Sequence, residues 1–498
     1  MKVSILLIIA AIVYIISAWY NIGYYHADEH YQLIEFSGLK LGWNNKNNLA
    51  WEFHSMIRPS FQVWVCYLLF GFFNILGISD PYILSFILRL VTAFLAIVGI
   101  YVFYKRSKYM LPLNNHFVYA CLSFFIWFIP FVSVRFSSET WSGILFMFGL
   151  SFLLTQNGYK RRNFYLAGLF IGLSFLCRFQ TGIMVIGIIA WLIVIRKYSL
   201  TKLAEVIIPI FIVIQIGLAL DFLFYGECVV TFWNYFKVNI LDDVSSNYGV
   251  SPWWTIPAYL VEQPLVPIGS LIVLSYIVIC IGYPKSPIVW CTLPFILIHS
   301  LIPHKELRFL FPLVWFVPFT VMLAFSRLMM LKRLISDKYL SAVKFIGVVA
   351  AIVLLILNSV ALSYAISTPV GYRQKWLTKK IRDDFQGGPV KIIHTSSGNP
   401  FEPWPILEEN FYKEKNISYQ RIEHWRDIEK YICIRSDTIY LLAMRRFDNL
   451  TSSSLKMDSL KTKELFTTEP GIAINTFGLS EDLNTNYFII HSITKKNE

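Results

Sequence analysis

The chain has 498 residues, 56% hydrophobic, 17% aromatic and only 15% charged, against roughly 25% charged in an ordinary soluble domain. That balance excludes a soluble globular enzyme, and abundant Leu, Ile, Val and Phe beside only 25 Gly and 21 Pro exclude a disordered or fibrous chain, leaving a polytopic membrane protein. The net charge of +13 raises nucleic-acid binding, but residues 1–366 carry 25 basic and 14 acidic side chains and residues 367–498 carry 19 and 17, so the excess belongs to the membrane part and no nucleic-acid partner is expected.

Taken in chain order, eleven apolar segments have the length that a bilayer core demands: 3–20, 82–104, 116–133, 140–156, 163–178, 180–196, 203–223, 264–282, 287–303, 309–327 and 343–366. The first is expected to stay as an uncleaved helix, because Tyr14, Trp19 and Tyr20 crowd the place where a signal peptidase needs small residues. A further apolar run, Pro59 to Ile78, is expected to lie flat on the outer surface. With that placement every basic loop falls on one side, collecting 15 Lys and Arg against the two acids Glu205 and Asp337. The outer side then receives the loop 21–81, the turn 134–139, the loop 224–263, the turn 304–308 and everything after 366.

Residues 1–366 therefore read as the membrane domain and 367–498 as a small outer α/β domain. Its strand-like runs are Val390 to His394, Thr438 to Ala443 and Tyr487 to Ile493, and its helix-like runs are Ile406 to Lys415 and Trp425 to Tyr431. The seven cysteines stand at 66, 121, 177, 228, 280, 291 and 433 with no Cys-x-x-Cys, so neither a disulfide framework nor a zinc site is expected.

The residues that carry chemistry collect on the outer side. His26-Ala27-Asp28-Glu29-His30-Tyr31-Gln32 follows the first helix, with Glu35, Trp51-Glu52 and Arg58 downstream. Adjacent carboxylates at a membrane surface supply a general base or hold a divalent cation, or else are solvated loop residues. His304-Lys305-Glu306-Leu307-Arg308-Phe309 is wedged between two apolar segments. Arg gives bidentate contacts to a phosphate and Lys a point charge; the plainer alternative is snorkelling toward lipid headgroups, which needs neither His304 nor Glu306. Arg135, Glu139, Arg178 and Asp221 are polar groups at membrane depth, although Arg135 and Glu139 at i,i+4 spacing also read as a structural pair. The loop 232–254, with Trp233, Tyr235, Tyr248, Trp253 and Trp254, suits sugar stacking and an interfacial aromatic belt equally.

The Asp28-Glu29 segment, the series Asp221, Tyr225-Gly226, Asn234, Asn239, Tyr248-Gly249, Pro252-Trp253, and the string His304 to Phe309 together resemble glycosyltransferase family 22, the polyprenyl-linked mannosyltransferases of N-glycan and GPI-anchor assembly. The likeness runs over residues 24 to 320, and its first loop is most similar to the GPI third-mannosyltransferase branch. Two departures stand out: Ala27 occupies a position usually held by Pro, and Arg58-Pro59-Ser60 replaces the usual Arg-Ser followed later by Pro.

The resemblance implies a GT-C type fold and a polyprenyl- or dolichyl-phosphate sugar as donor, used at the periplasmic or lumenal face. The acceptor is then a glycolipid or lipid-linked oligosaccharide. Asp28 is the expected base, with Glu29 orienting the acceptor or substituting for Asp28. His304, Lys305 and Arg308 are expected to bind the donor phosphate, and Arg135, Glu139, Arg178, Tyr248 and Trp253 to contact substrate. No metal or other cofactor is expected, because cationic side chains take the part that Mg²⁺ plays on a pyrophosphate. A bacterial inner membrane is the favoured location, the endoplasmic reticulum membrane if the source is eukaryotic. A non-catalytic assembly subunit and a lipid or glycan transporter are the rival readings; a transporter predicts inverted repeats and broken helices at matching positions, and the sequence has neither.

Overall fold

The computed structural model describes residues 3–154, 159–331, 337–394, 398–401, 407, 409–424, 427–432, 437–445, 460–468 and 488–495. The chain forms two compact units: Met1–Tyr20, Trp51–Leu69 and Ile87–Ser367 make the first, and Asn21–Ala50, Phe70–Phe86 and Thr368–Glu498 the second.

The first unit is helical, and a helix lies over each of the eleven apolar segments. Length and composition alone identify five candidate spans among the described residues: Val3–Tyr20, Pro81–Met110, Leu200–Tyr225, Leu307–Met330 and Lys344–Ser367. Shorter apolar helices include Phe179–Val194, Val266–Gly282 and Pro287–Leu301. Helix Phe61–Ile75, with 15 residues, belongs with these shorter apolar helices and is as long as Pro287–Leu301.

Two segments expected as single helices are divided. The segment 116–133 breaks into His116–Phe125 and Phe128–Ser133. At the break the Asn358 side chain accepts from the Trp127 amide at 2.9 Å and donates to the Phe125 carbonyl at 2.9 Å, replacing the helical partners that both groups lose. The segment 309–327 starts as a 3₁₀ stretch, Leu307–Phe316, and becomes α-helical only at Val317. Pro312, which lacks an N–H, sits inside the tighter stretch. Helix Ser138–Leu153 lies directly against that stretch: a Cβ added at Gly143 would stand 2.7 Å from the Pro312 Cα and 2.5 Å from the Trp315 Nε1, so only glycine permits the approach.

Among the described residues the second unit holds a sheet of five strands, β1 (Val390–His394), β2 (Ile417–Arg421), β3 (Ile439–Arg445), β4 (Leu460–Thr467) and β5 (Phe488–Lys495), in the order β2-β1-β3-β5-β4. The first three run parallel, with Val390 opposite both Ile417 and Ile439, and β5 is antiparallel to β3 and β4. Helix Gln374–Asp384 packs Leu377 and Ile381 on one face, against Val390, Ile392, Leu441 and Ile490; Ile393, Leu442, Met444 and Ile428 fill the other. Burial on both faces explains why β3 reads as a nearly continuous apolar run and why β1 is apolar at Val390, Ile392 and Ile393. The edge strands β2 and β4 carry Ser418, Gln420, Lys461 and Lys463, and so gave no apolar run to notice.

The helix expected over Ile406 to Lys415 is corrected: residues 409–416 form turns, with Glu409 buried rather than displayed on a solvated helix face, while Ile406 lies outside the described residues. The helix expected over Trp425 to Tyr431 forms only at Ile428–Tyr431, Trp425 being outside them as well. The remaining polar feature is the segment from Ala27 to Leu41, helical throughout. One turn, Ala27–Glu29, leads into a π stretch, His30–Ile34, and then an α-helix, Glu35–Leu41, which Gly42 ends in the left-handed conformation.

Candidate active site

In the first unit, three segments distant in sequence bring their charges together. Ser137 caps helix Ser138–Leu153, its hydroxyl accepting from the Thr140 amide, and this places Glu139 in the buried first turn. Arg178 stands where helix Arg161–Cys177 gives way to extended backbone. Arg308 sits on the 3₁₀ stretch, whose approach Gly143 permits. The Glu139 Oε1 accepts from the Arg178 Nη1 at 2.6 Å and from the Arg308 Nη1 at 3.1 Å, and Ser138 Oγ donates to Glu139 Oε2 at 3.1 Å. Arg308 also donates through Nε to Glu306. Phe309 lies under both guanidinium groups, 5.0 Å from Arg178 and 5.6 Å from Arg308.

The turn before Arg308 is tied to the aromatic loop. His304 Nε2 lies 2.7 Å from Glu306 Oε1 and its Nδ1 3.1 Å from the Gly249 carbonyl. Both ring nitrogens face oxygen atoms. Lys305 Nζ donates to the carbonyls of Ser251 at 2.7 Å, Ile302 at 2.6 Å and Pro303 at 3.4 Å, and burial pushes the ammonium below its ordinary pKa. Tyr248 stacks on Trp51 at 6.4 Å and stands 6.1 Å from the His304 ring; Trp253 is exposed and meets Trp254 edge-on.

Arg135 is buried in this unit, its guanidinium 5.3 Å from the Phe131 ring. The partners Arg178 and Arg308 reach Glu139 from two other segments, which spacing with Arg135 did not suggest. Asp221 closes a separate polar knot: its carboxylate accepts from the Ser60 amide at 2.8 Å, the Ser60 hydroxyl at 2.6 Å and the Thr231 hydroxyl at 2.7 Å. Arg58, two residues before Ser60, lies 3.6 Å from Glu52, and its carbonyl accepts from the Tyr225 hydroxyl at 2.8 Å.

Asp28 and Glu29 belong to the second unit and occupy the first turn of the helical segment, the end that favours negative charge. His26 caps the turn, its Nδ1 accepting from the Asp28 amide at 3.2 Å. Asp28 is partly exposed, whereas Glu29 is buried and accepts from the Tyr25 amide at 3.2 Å. Ala27 is the first helical residue, a position that also tolerates Pro, so this departure from the family pattern is conformationally mild. The π stretch begins directly after the pair, a geometry common at functional sites.

Sequence reasoning named Glu306 only as part of a string, and it missed Phe309 as the surface under both arginines. In the second unit it missed the buried pairs His30–Glu35, at 2.8 Å, and Lys375–Glu409. For the first, both residues stand in the segment after the first helix, but their spacing of five brings them together only through the π stretch His30–Ile34; Glu409 gave no signal.

A model of the Alg9-like mannosyltransferase family matches residues 4–374. The GPI mannosyltransferase 3 of Yarrowia lipolytica is 28% identical over 321 residues, covering 63% of this chain and 60% of the relative. The GPI alpha-1,2-mannosyltransferase 3 of Bos taurus is 24% identical over 306 residues, covering 58% and 53%. The aligned part is thus between half and two thirds of these relatives' length. The crystal structure of ArnT from Cupriavidus metallidurans in the apo state superposes with a TM-score of 0.50 at 9% identity, over 98% of this chain and 97% of that one, a likeness of fold.

Proposed function

The chain belongs to the Alg9-like mannosyltransferase family, and from that premise we propose that it is a membrane mannosyltransferase using a polyprenyl- or dolichyl-phosphate sugar as donor. The acceptor is a glycolipid or lipid-linked glycan, and the relatives' names make a GPI-type glycolipid the first one to test. The observation that carries this reading is the pair of guanidinium groups, Arg178 and Arg308, held on Glu139 and Glu306, with the Lys305 ammonium on backbone carbonyls of the same turn. These three cations and two carboxylates leave one positive charge in excess. That excess suits a lipid phosphodiester, whose negative charge grows as the sugar departs.

In the proposed reaction Asp28 takes the proton of the acceptor hydroxyl as its oxygen forms a bond to the anomeric carbon. The bond from that carbon to the phosphate oxygen breaks, and the lipid phosphate leaves with the electron pair. Attack from the face opposite the leaving group passes through an oxocarbenium-like transition state and inverts the anomeric centre. Glu29 orients the acceptor or replaces Asp28. Glu139 holds the two guanidinium groups in fixed register; Arg178, Arg308, Lys305 and His304 meet the donor phosphate. Arg135, Tyr248 and Trp253 are lower-ranked substrate contacts. No divalent metal takes part in this scheme.

Eleven spans with the outer loops as assigned complete the proposal, supported by the basic loops that this topology gathers on one side. The active site then faces the periplasm, or the lumen in a eukaryote. The test is transfer of radiolabelled mannose from a polyprenyl-phosphate donor into membrane lipids, with and without EDTA, by wild type, Asp28→Ala and Arg308→Ala at matched expression. Transfer by wild type alone, unaffected by EDTA, is expected. Wild type inert toward every lipid-phosphate sugar would overturn the reading in favour of a non-catalytic subunit, and full activity of Asp28→Ala would remove that residue as the base.

A further inference from the structure

The second unit contains a buried charged lattice that the reaction scheme does not use. Lys375 and Glu409 form an ion pair in which both side chains are almost wholly buried, and the Tyr24 hydroxyl donates to the other oxygen of Glu409. The Lys375 ammonium also lies 5.9 Å from the Tyr24 ring and 5.0 Å from the Tyr412 ring. His30 is stacked between the same two rings, 5.3 Å from Tyr24 and 5.4 Å from Tyr412, and its Nε2 meets Glu35 at 2.8 Å. Glu35 in turn accepts from the Asn44 side chain at 2.7 Å and from the Phe411 amide at 3.0 Å.

The acid pair lies between the two anchored stretches. On its N-terminal side, the Val370 amide donates to the Ile22 carbonyl at 3.2 Å. Two glycines make that seam possible. A Cβ on Gly23, at φ +102, would stand 3.2 Å from the Val370 carbonyl oxygen, and one on Gly371, at φ +59, would stand 2.8 Å from the Tyr24 carbonyl oxygen. On its C-terminal side, His30 and Glu35 are fixed by residues 411 and 412. Asp28 and Glu29 therefore ride on a five-residue bridge, 25–29, whose two ends are both fastened to the chain after residue 367.

Ion pairs as dry as Lys375–Glu409 gain little stability over apolar packing of the same volume, but removing one partner alone is costly. Their strength is in fixing one arrangement, and this one fixes Tyr24 and, through the shared rings, His30. We propose that Lys375, Glu409 and Glu35 are positioning residues that set the acid pair for proton transfer, giving the C-terminal domain a part in the chemical step. This rests on the reading of Asp28 as the base.

The test uses the full-length protein. Glu409→Gln, Lys375→Met, the exchanged pair Lys375→Glu with Glu409→Lys, and the mild variant Tyr24→Phe are compared for kcat, donor KM and amide hydrogen exchange over residues 24–35. Each single variant at 375 or 409 is expected to lower kcat about 10- to 100-fold, as a misplaced catalytic group does, with donor KM within about twofold and faster exchange over 24–35. Tyr24→Phe should move both readouts the same way by less, and it serves if the buried-charge variants do not fold. Partial recovery of kcat by the exchanged pair supports the ion pair as the cause. Unchanged kcat, or a loss shared equally between kcat and donor KM with exchange over 24–35 unaltered, overturns the proposal. If wild type itself transfers no sugar, the reading of function has failed; exchange over 24–35 then stands alone, and its indifference to these variants overturns the fastening as well.

Discussion

Arg308 offers the sharpest test of the cation cluster, because its guanidinium reaches two carboxylates at once: Glu139 at 3.1 Å through Nη1, and Glu306 through Nε. At an effective dielectric constant near 20, a unit charge pair at 3.1 Å is worth about 5 kcal/mol before desolvation is subtracted. Arg308→Met strands part of that charge. Glu139 keeps Arg178 at 2.6 Å and Glu306 keeps His304 at 2.7 Å, so the fold should survive a loss at or below about 3–5 kcal/mol. If the guanidinium also stabilises the departing phosphate, kcat should fall by about 10²–10³.

Arg308→Lys separates charge from shape. A single ammonium restores the positive charge but cannot send N–H groups to both carboxylates and to a phosphate. Losing one charge-assisted hydrogen bond costs about 1.5–3 kcal/mol, or about 10- to 150-fold in rate. The assay is radiolabelled mannose transfer from polyprenyl-phosphate mannose at saturating donor, on protein of matched folded yield. Arg308→Met within about threefold of wild type would remove Arg308 from the phosphate site. Arg308→Lys equal to wild type would show that charge alone matters and that the geometry drawn from Glu139 and Glu306 is irrelevant to the chemistry.

Asp28→Asn should lower transfer by about 10²–10⁴, the usual contribution of a positioned base, and Glu29→Gln by less; the reverse order in the same assay would exchange their roles. His30 sits among Glu35, Lys375, Tyr24, Tyr31 and Tyr412, and burial, the largest influence, holds its pKa below the ordinary 6.5. A lowered folded value means that the unfolded chain binds the extra proton first, so stability should decline as pH falls below 6.5; His30→Gln should flatten that limb in thermal unfolding from about pH 7 to 5. Asp221→Ala orphans the buried Ser60 amide, at about 1–3 kcal/mol, and should lower the melting temperature while leaving donor KM unchanged.

Much of the membrane part was legible because hydrophobic length is a one-dimensional signal. The strands β1 and β3 were legible for the same reason, being apolar on both faces. The break at Ile126 was not, since its cause is an amide side chain 232 residues further on, Asn358. In the cation cluster, residue types were visible but partnership was not. Glu139 was read at helical spacing with Arg135, and spacing gave no sign that the approach at Gly143 brings Arg308 to it as well. The buried pair Lys375–Glu409 had no local signature, because each residue alone resembles any exposed charge in a polar tail.

The three carbonyls around Lys305 couple loop position to charge. Ser251 supplies one of the acceptors, and its amide is itself held by the Pro303 carbonyl at 2.9 Å. Any displacement of the aromatic loop therefore strips the ammonium of an acceptor and frees the Pro303 oxygen in one motion. The turn would then carry a cation short of a ligand, within three residues of Arg308, and an arriving phosphate oxygen is the natural replacement. A mutation at 249–251 should therefore disturb the aromatic loop and the surroundings of the Lys305 ammonium together.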